Sequence, residues 1–303
     1  MKWVVSQFAS SEHRVSLKPG KGWLQRNFIT QVYLPSLFTR RKGIAHQPQF
    51  PPLAPNDICL TWIGHASFLI QWRGWNILVD PIWSLWLKIV KRIRRPGFPL
   101  KHLPAIDLVL VTHAHFDHLD RRTLRRIAAW QPIVVPDGVG NLVHDLGFES
   151  VHELVPWQSL NLGEVQVTLT PCHHWGARVL HDSHRGFGGF HVKLGPRTIF
   201  HCGDSAYFPG FSEIGVRLPT EIALLPIGAY DPPMRREVHM NPEEAVKAFR
   251  ELKADVMVPM HYGSFRLSFE PPDEPLHRLK AVVQKSKIEG KVLVMEEGVP
   301  TVF

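Results

Sequence analysis

The sequence is poor in cysteine, and Cys59, Cys172 and Cys202 form no CxxC pair. That excludes a disulfide framework and suits a reducing compartment. No apolar run approaches the roughly 18 residues needed to span a bilayer. The opening MKWVVSQFASSEHR lacks a long apolar core and a cleavage site, which argues against a secretory signal. The expected location is therefore the cytoplasm, with peripheral attachment to the cytoplasmic face of a membrane left open. No fixed-period repeat and no low-complexity tract is visible, so solenoid and disordered architectures drop out. Acids are missing over two stretches. Residues 1–55 hold eight basic groups against Glu12 alone, and no acid falls between Asp80 and Asp107.

What remains is an ordinary globular composition, 44% hydrophobic and 20% charged over 303 residues. Such a chain buries a large core. The net charge of +8 comes mostly from the first 55 residues. Segments of this kind meet phosphate, on nucleic acid or on lipid, or form a solvated basic face.

Residues 1–55 read as an irregular basic arm, and 56–303 as the main domain. Short apolar runs recur after the arm. ICLTW, SFLIQW, DLVLVTH, PIVVPD, VQVTLTP, GGFHVKL, RTIFHCGD, EIALLPIG, DVMVPMH and KVLVMEEG read as strands, with a hairpin turning at Arg73-Gly74. Helices are expected from Arg121 to about Ala129 behind Asp120, from Pro242 behind Asn241, and from Glu274 to about Lys285. The pattern suggests an α/β sandwich, two sheets packed face to face with helices outside.

One stretch stands apart. THAHFDHLD, residues 112–120, follows a buried strand and precedes a helix. His113, His115, Asp117 and His118 carry imidazole and carboxylate donors suited to zinc, iron or manganese. Three later strand ends also finish in such groups: His173 and His174, Asp204, and His261. One of these alone is a surface or capping residue. Four strand ends together point to a metal site.

These residues carry a resemblance. HAHFDH, the histidines after TP, the aspartate of GD and the late histidine resemble the metallo-β-lactamase-fold superfamily. Within it, WIGHASFLI, DPIWS, HHWGAR, GDSAYFPGFSEIG, PIGAYDP, HMNPEEAV and MHYGSF resemble the N-acylphosphatidylethanolamine-hydrolysing phospholipase D family. The likeness runs from about residue 57 to 275, and leaves the first 55 residues unplaced. It implies an αββα sandwich of two mixed sheets with two metal ions, usually zinc. His113, His115 and His174 would bind the first, Asp117, His118 and His261 the second, and Asp204 both. His173 rivals His174. Cys172 and Cys202 flank ligand positions and read as small buried residues.

Two cations about 3.5–4 Å apart activate a shared water for attack on phosphorus or a carbonyl carbon. Asp117 would then orient the nucleophile. His239, just before the NPEEAV segment, would bind substrate phosphate, protonate the leaving group, or serve only to cap the helix. The resemblance implies a glycerophospholipid substrate cut to release phosphatidic acid. Hydrolysis of a soluble ester or sugar lactone is the alternative. A nucleic-acid role is less favoured, since no module of stacking aromatics and basic residues is present. A homodimer is compatible with the chain.

IWSLWLKIVKRIRR, residues 82–95, has helical apolar spacing opposite a basic face. It is expected to form an amphipathic helix on an anionic membrane surface, with Trp83, Trp86, Lys91, Arg92 and Arg95 as contacts. A helix packed on the protein is the plainer alternative.

Overall fold

A computed structural model describes residues 26–179, 182–232 and 237–303. The arm is not irregular throughout. Ile29–Tyr33 forms a π-helical turn that runs into α1, Leu34–Phe38. Val32 is fully buried, and Arg26 pairs with Asp231 at 2.6 Å. The described part of the arm therefore lies against the main domain. Residues 1–25 are outside the described residues.

The first sheet opens with β1 (Cys59–Gly64), β2 (Ser67–Trp72) and β3 (Trp75–Val79), an antiparallel meander. Arg73 and Gly74 both take positive φ, 45° and 85°, which suits the right-handed twist of the hairpin they close. A small separate hairpin, β4 (Trp86–Leu87) and β5 (Val90–Lys91), follows. Next, β6 (Leu108–Leu110), β7 (Ile133–Pro136) and β8 (Val151–Leu154) extend the first sheet in parallel from β3. Between β6 and β7 lies α2, Arg121–Ile127.

The second sheet holds β9 (Ser159–Leu162), β10 (Val165–Thr170), β11 (Gly189–Leu194) and β12 (Arg197–His201), all antiparallel. α3 (Gly210–Arg217) leads to β13, Ile222–Pro226, and α4 (Pro242–Leu252) to β14, Val256–Met260. Both strands pair in parallel. α5 (Glu274–Ser286) follows, and β15 (Pro300–Val302) returns to pair with β1.

One continuous core joins the sheets, with Trp62, Phe68 and Trp72 of the first among Val167, Phe190 and Ile199 of the second. Val246 and Phe249 of α4 add to it, and Leu124 of α2 packs with Val109 and Ile133 behind the first sheet. The architecture is an αββα sandwich of two mixed sheets. The helix caps are local. Asp120 accepts from the Arg122 amide, and Asn241 and Glu244 form a reciprocal capping box.

Two expected elements do not form. Residues 82–95 form no helix. The Ile93 amide donates to Ser264 O at 2.8 Å, and the Lys42 amide to Ile93 O at 2.8 Å. Hydrogen bonds to distant segments thus replace helical ones. Arg92 is fully buried, with Nε donating to Arg94 O, Nη1 to Ile82 O and Nη2 to Ile63 O. KVLVMEEG forms no strand and keeps only an isolated bridge, Val292 to Met257. α3, β8 and β9 were not expected, since they are short and β9 alternates exposed with half-buried residues.

Candidate metal centre

The strand ends named from sequence converge at one end of the sandwich. The 113–118 segment follows β6, His174 follows β10, Asp204 follows β12, and His261 follows β14. Ligand atoms of His113, His115, His174 and Asp204 all lie within 4.8 Å of one another. Those of His65, Asp117, His118 and His261 do the same. A third set, Asp204, His239 and His261, overlaps them.

Asp204 connects the groups. Its Oδ2 lies 3.7 Å from His113 Nε2, 3.8 Å from His174 Nε2 and 3.2 Å from His118 Nε2. Its Oδ1 lies 3.1 Å from His261 Nε2. His115 presents Nδ1, 3.0 Å from His113 Nε2 and 3.2 Å from His174 Nε2.

The far sides of the rings are tied down. Thr112 Oγ1 meets His113 Nδ1 at 3.0 Å. Asp80 Oδ2 meets His118 Nδ1 at 2.7 Å, and Asp80 also accepts from the amide and hydroxyl of Thr112. His174 Nδ1 donates to Val238 O at 3.0 Å. Those bonds turn Nε2 of His113, His118 and His174 inward, toward the point where a cation would meet them. Meanwhile His118 Nε2, His261 Nε2 and Asp204 Oδ1 are buried and, close as they lie to one another, make no well-aligned hydrogen bond among the described residues. Buried polar atoms are normally satisfied, so several orphans converging on one point fit a cation.

The electrostatics agree. Burial, then neighbouring histidines, pushes His113 well below the usual imidazole range, and burial does the same to His174. Burial opposes charge on Asp204 and Asp117 too, but His118 and His261 outweigh it and hold both carboxyls well below their usual range. Burial also works against charge on His261, yet Asp204 and Asp117 raise it to about 9. A divalent ion would displace that proton. On His118 too burial opposes charge, but Asp204 and Asp80 outweigh it and hold the ring well above the usual imidazole range. With the protons of His118 and His261 displaced, neutral imidazoles around ionised carboxylates form a donor set for zinc, iron or manganese.

His174, not His173, turns inward. His173 is exposed and its backbone bridges Ala206. Cys202 is fully buried and Cys172 only partly so, and neither belongs to a metal-capable group among the described residues. His239 is in the site, with Nδ1 3.8 Å from Asp204 Oδ2. It is not the helix cap, since Asn241 fills that role. The sequence reading missed Asp80 and His65. Both sit at turns bordering strands of the first sheet and both take positive φ, 43° and 57°. The words VDP and GHAS were the only sequence signals.

The five residues expected at a membrane do not form one face. Trp83 is buried, and its Nε1 donates to Phe98 O at 2.8 Å. Lys91 Nζ is spent on the carbonyls of Leu37 and Thr39, and Arg92 is internal. Trp86 and Arg95 are exposed. No helix among the described residues is long and apolar enough to cross a membrane.

Comparison with known proteins agrees with this geometry. The sequence profile of the Beta-lactamase superfamily domain matches residues 75–262. An N-acyl-phosphatidylethanolamine-hydrolyzing phospholipase D of Caenorhabditis elegans is 31% identical over 245 residues, 74% of this chain and 69% of that protein. A UPF0173 metal-dependent hydrolase of Methanopyrus kandleri is 30% identical over 249 residues, 79% of this chain and 97% of that protein. The solved structure of a metallo hydrolase from Ignicoccus hospitalis has a TM-score of 0.62 at 26% identity, covering 82% of this chain and 99% of that one. The chain belongs to the β-lactamase superfamily and is a metal-dependent hydrolase of the metallo-β-lactamase fold.

Proposed function

We propose that this hydrolase is a two-metal phosphodiesterase of phospholipase D type, acting on N-acylphosphatidylethanolamine-like glycerophospholipids. The observation that carries the reading is Asp204, whose Oδ2 faces His113, His118 and His174 while Oδ1 faces His261. A carboxylate so disposed suits a pair of ions, and zinc fits the donors, with iron or manganese as substitutes. The likeness to the nematode phospholipase supports the substrate class.

When bound, a pair of divalent cations would lower the pKa of a shared water and offset the charge developing on the attacked phosphorus. Asp117 stays ionised and orients the attacking water through its carboxylate. The His239 ring stands 5.1 Å from His174 and 5.2 Å from His261, and its Nδ1 has no hydrogen-bond partner among the described residues. It is free to donate to a phosphoryl oxygen or to the leaving group. Trp175 and Phe116 offer apolar surface beside the ligands. Trp175 packs 4.6 Å from His115, and Phe116 lies between ligand positions.

For the membrane contact, Trp86 and Arg95 are kept and are joined by the tip of the hairpin and the end of α1. Phe38 is 87% exposed and Ile89 66%, with Leu85 and Trp86 also exposed. Their segments are joined, because Lys91 ties the end of α1 to the hairpin, and Arg41 reaches Leu85 O and stands over Trp86. Exposed Arg40, Lys88 and Arg95 lie on the same segments. Lys88 Nζ stands 5.2 Å from the Phe116 ring, which links this patch to the ligand segment. Apolar tips among cations suit the cytoplasmic face of an anionic bilayer.

A second reading is hydrolysis of a soluble ester or sugar lactone, since the Methanopyrus kandleri relative is described as a metal-dependent hydrolase with no lipid in its name. The test is a substrate comparison with zinc-loaded protein. Release of phosphatidic acid from vesicles holding N-acylphosphatidylethanolamine supports the first reading. Turnover of lactones with no phosphodiesterase activity supports the second.

A further inference from the structure

The turn between β1 and β2 is built more elaborately than a connection needs. Gly64 and His65 both take positive φ, 114° and 57°, next to a register shift in the strand pair. A Cβ at Gly64 would stand 2.6 Å from Arg92 Nη2, so glycine lets the buried guanidinium approach. That guanidinium donates to Ile63 O at 3.3 Å. His65 O accepts twice, from Trp62 Nε1 at 2.9 Å and from the His261 amide at 3.0 Å. The turn is thereby fixed to the strand end that carries a ligand histidine. Strained backbone persists where its surroundings over-determine it, and such places are commonly functional.

The His65 ring is held as firmly. It is 2% exposed, packs 4.0 Å from His261 at a tilt of 41°, and meets Phe265 edge-on at 5.1 Å. Nδ1 is buried and has no hydrogen-bond partner among the described residues. Among the described residues the only hydrogen bond of the ring runs from Nε2 to Asp117 Oδ2, at 2.9 Å. An ionised carboxylate only accepts, so the proton sits on Nε2. The same Oδ2 lies 3.5 Å from His261 Nε2 and 3.8 Å from His118 Nε2.

We infer that His65 is a positioning residue of the second metal site, its Nε2–H holding Asp117 where His118 and His261 converge. The inference rests on reading the two ligand groups as a metal pair. It adds that the sites are tuned separately. Removing the His65 donor weakens the site of Asp117, His118 and His261 and leaves that of His113, His115 and His174 nearly intact. Outer hydrogen-bond partners of ligands are commonly worth about 10–100-fold in metal affinity.

The test uses full-length His65→Asn and His65→Gln. Asparagine tolerates positive φ but is too short to reach Asp117. Glutamine carries an amide donor near the position of Nε2. Zinc affinity of each equivalent is measured by competition with a chromophoric chelator. The visible spectrum of the cobalt-loaded protein then reports which site fills. The expected result is a second equivalent bound about 10–100-fold more weakly in His65→Asn, an unchanged first, and recovery to within a few-fold in His65→Gln. Equal weakening of both equivalents would mean a merely structural turn and overturn the inference. So would wild-type binding in His65→Asn, or failure of His65→Gln to recover. Should His65→Asn not fold, His65→Gln decides alone: a second equivalent weakened tenfold or more rejects the positioning role, and one within a few-fold of wild type keeps it. A wild-type protein that binds fewer than two ions rejects the metal-pair reading itself, and is read from the parent protein before any variant.

Discussion

Asp80 Oδ2 lies 2.7 Å from Nδ1 of His118, on the side of the ring away from Asp204. Both side chains are fully solvent-inaccessible. The carboxylate fixes which nitrogen carries the proton, and so which one faces a metal. Asp80→Ala is expected to lower metal affinity about 10–100-fold, with activity falling in step. Chelator competition checks it. An unchanged affinity would show that the Asp80 bond does not orient the ligand.

The neighbouring histidines should separate cleanly. His174→Ala removes an inward Nε2 and should strip metal from the centre and abolish turnover. His173→Ala alters an exposed side chain and should leave metal content unchanged and the rate within a few-fold. Metal analysis and initial rates on the two variants distinguish the pair.

The apolar patch makes a prediction about membranes. Phe38→Ser with Ile89→Ser should weaken binding to anionic vesicles and slow hydrolysis of a bilayer substrate. Hydrolysis of a short water-soluble phosphodiester should persist, because no metal-site residue is touched. Lys88→Gln with Arg95→Gln should act mainly at low salt, since exposed charges are screened within about 8 Å at physiological ionic strength. Full vesicle affinity in the Phe38/Ile89 variant would reject this surface.

Glu297 gives a pH dependence. Burial raises its carboxyl from the usual 4.5 to about 7, against the pull of Arg94 at 3.2 Å and of Arg92. The folded state therefore binds more protons than the unfolded chain between those values. Stability should fall as pH rises from about 4.5 to 7, by up to about 3 kcal/mol. Glu297→Gln should flatten that slope in denaturant titrations at several pH values. An unaltered slope would place the cause elsewhere.

The metal ligands were legible because each sits at the end of an apolar run, where a polar side chain has no core to join. An α/β sandwich with outer helices followed from those runs, its αββα form from the family resemblance, and the caps at Asp120 and Asn241 from local chemistry. The 82–95 segment misled because its apolar spacing fits a helix, whereas its backbone partners are Ser264 and Lys42, far away in sequence. Arg92 read as a surface cation, yet three carbonyls hold it inside. His65 and Asp80 were missed because each is a single polar residue in a turn. Their meaning comes from Asp117 and His118 across the fold.

The central claim is a metal pair joined through Asp204, and metal content tests it most directly. The wild-type protein, purified without chelator, should hold about two equivalents of transition metal per chain by mass spectrometry. Asp204→Ala should hold close to none, because its two oxygens face both ligand groups. A wild-type protein with a single equivalent, or an Asp204→Ala protein that keeps two, would contradict the account.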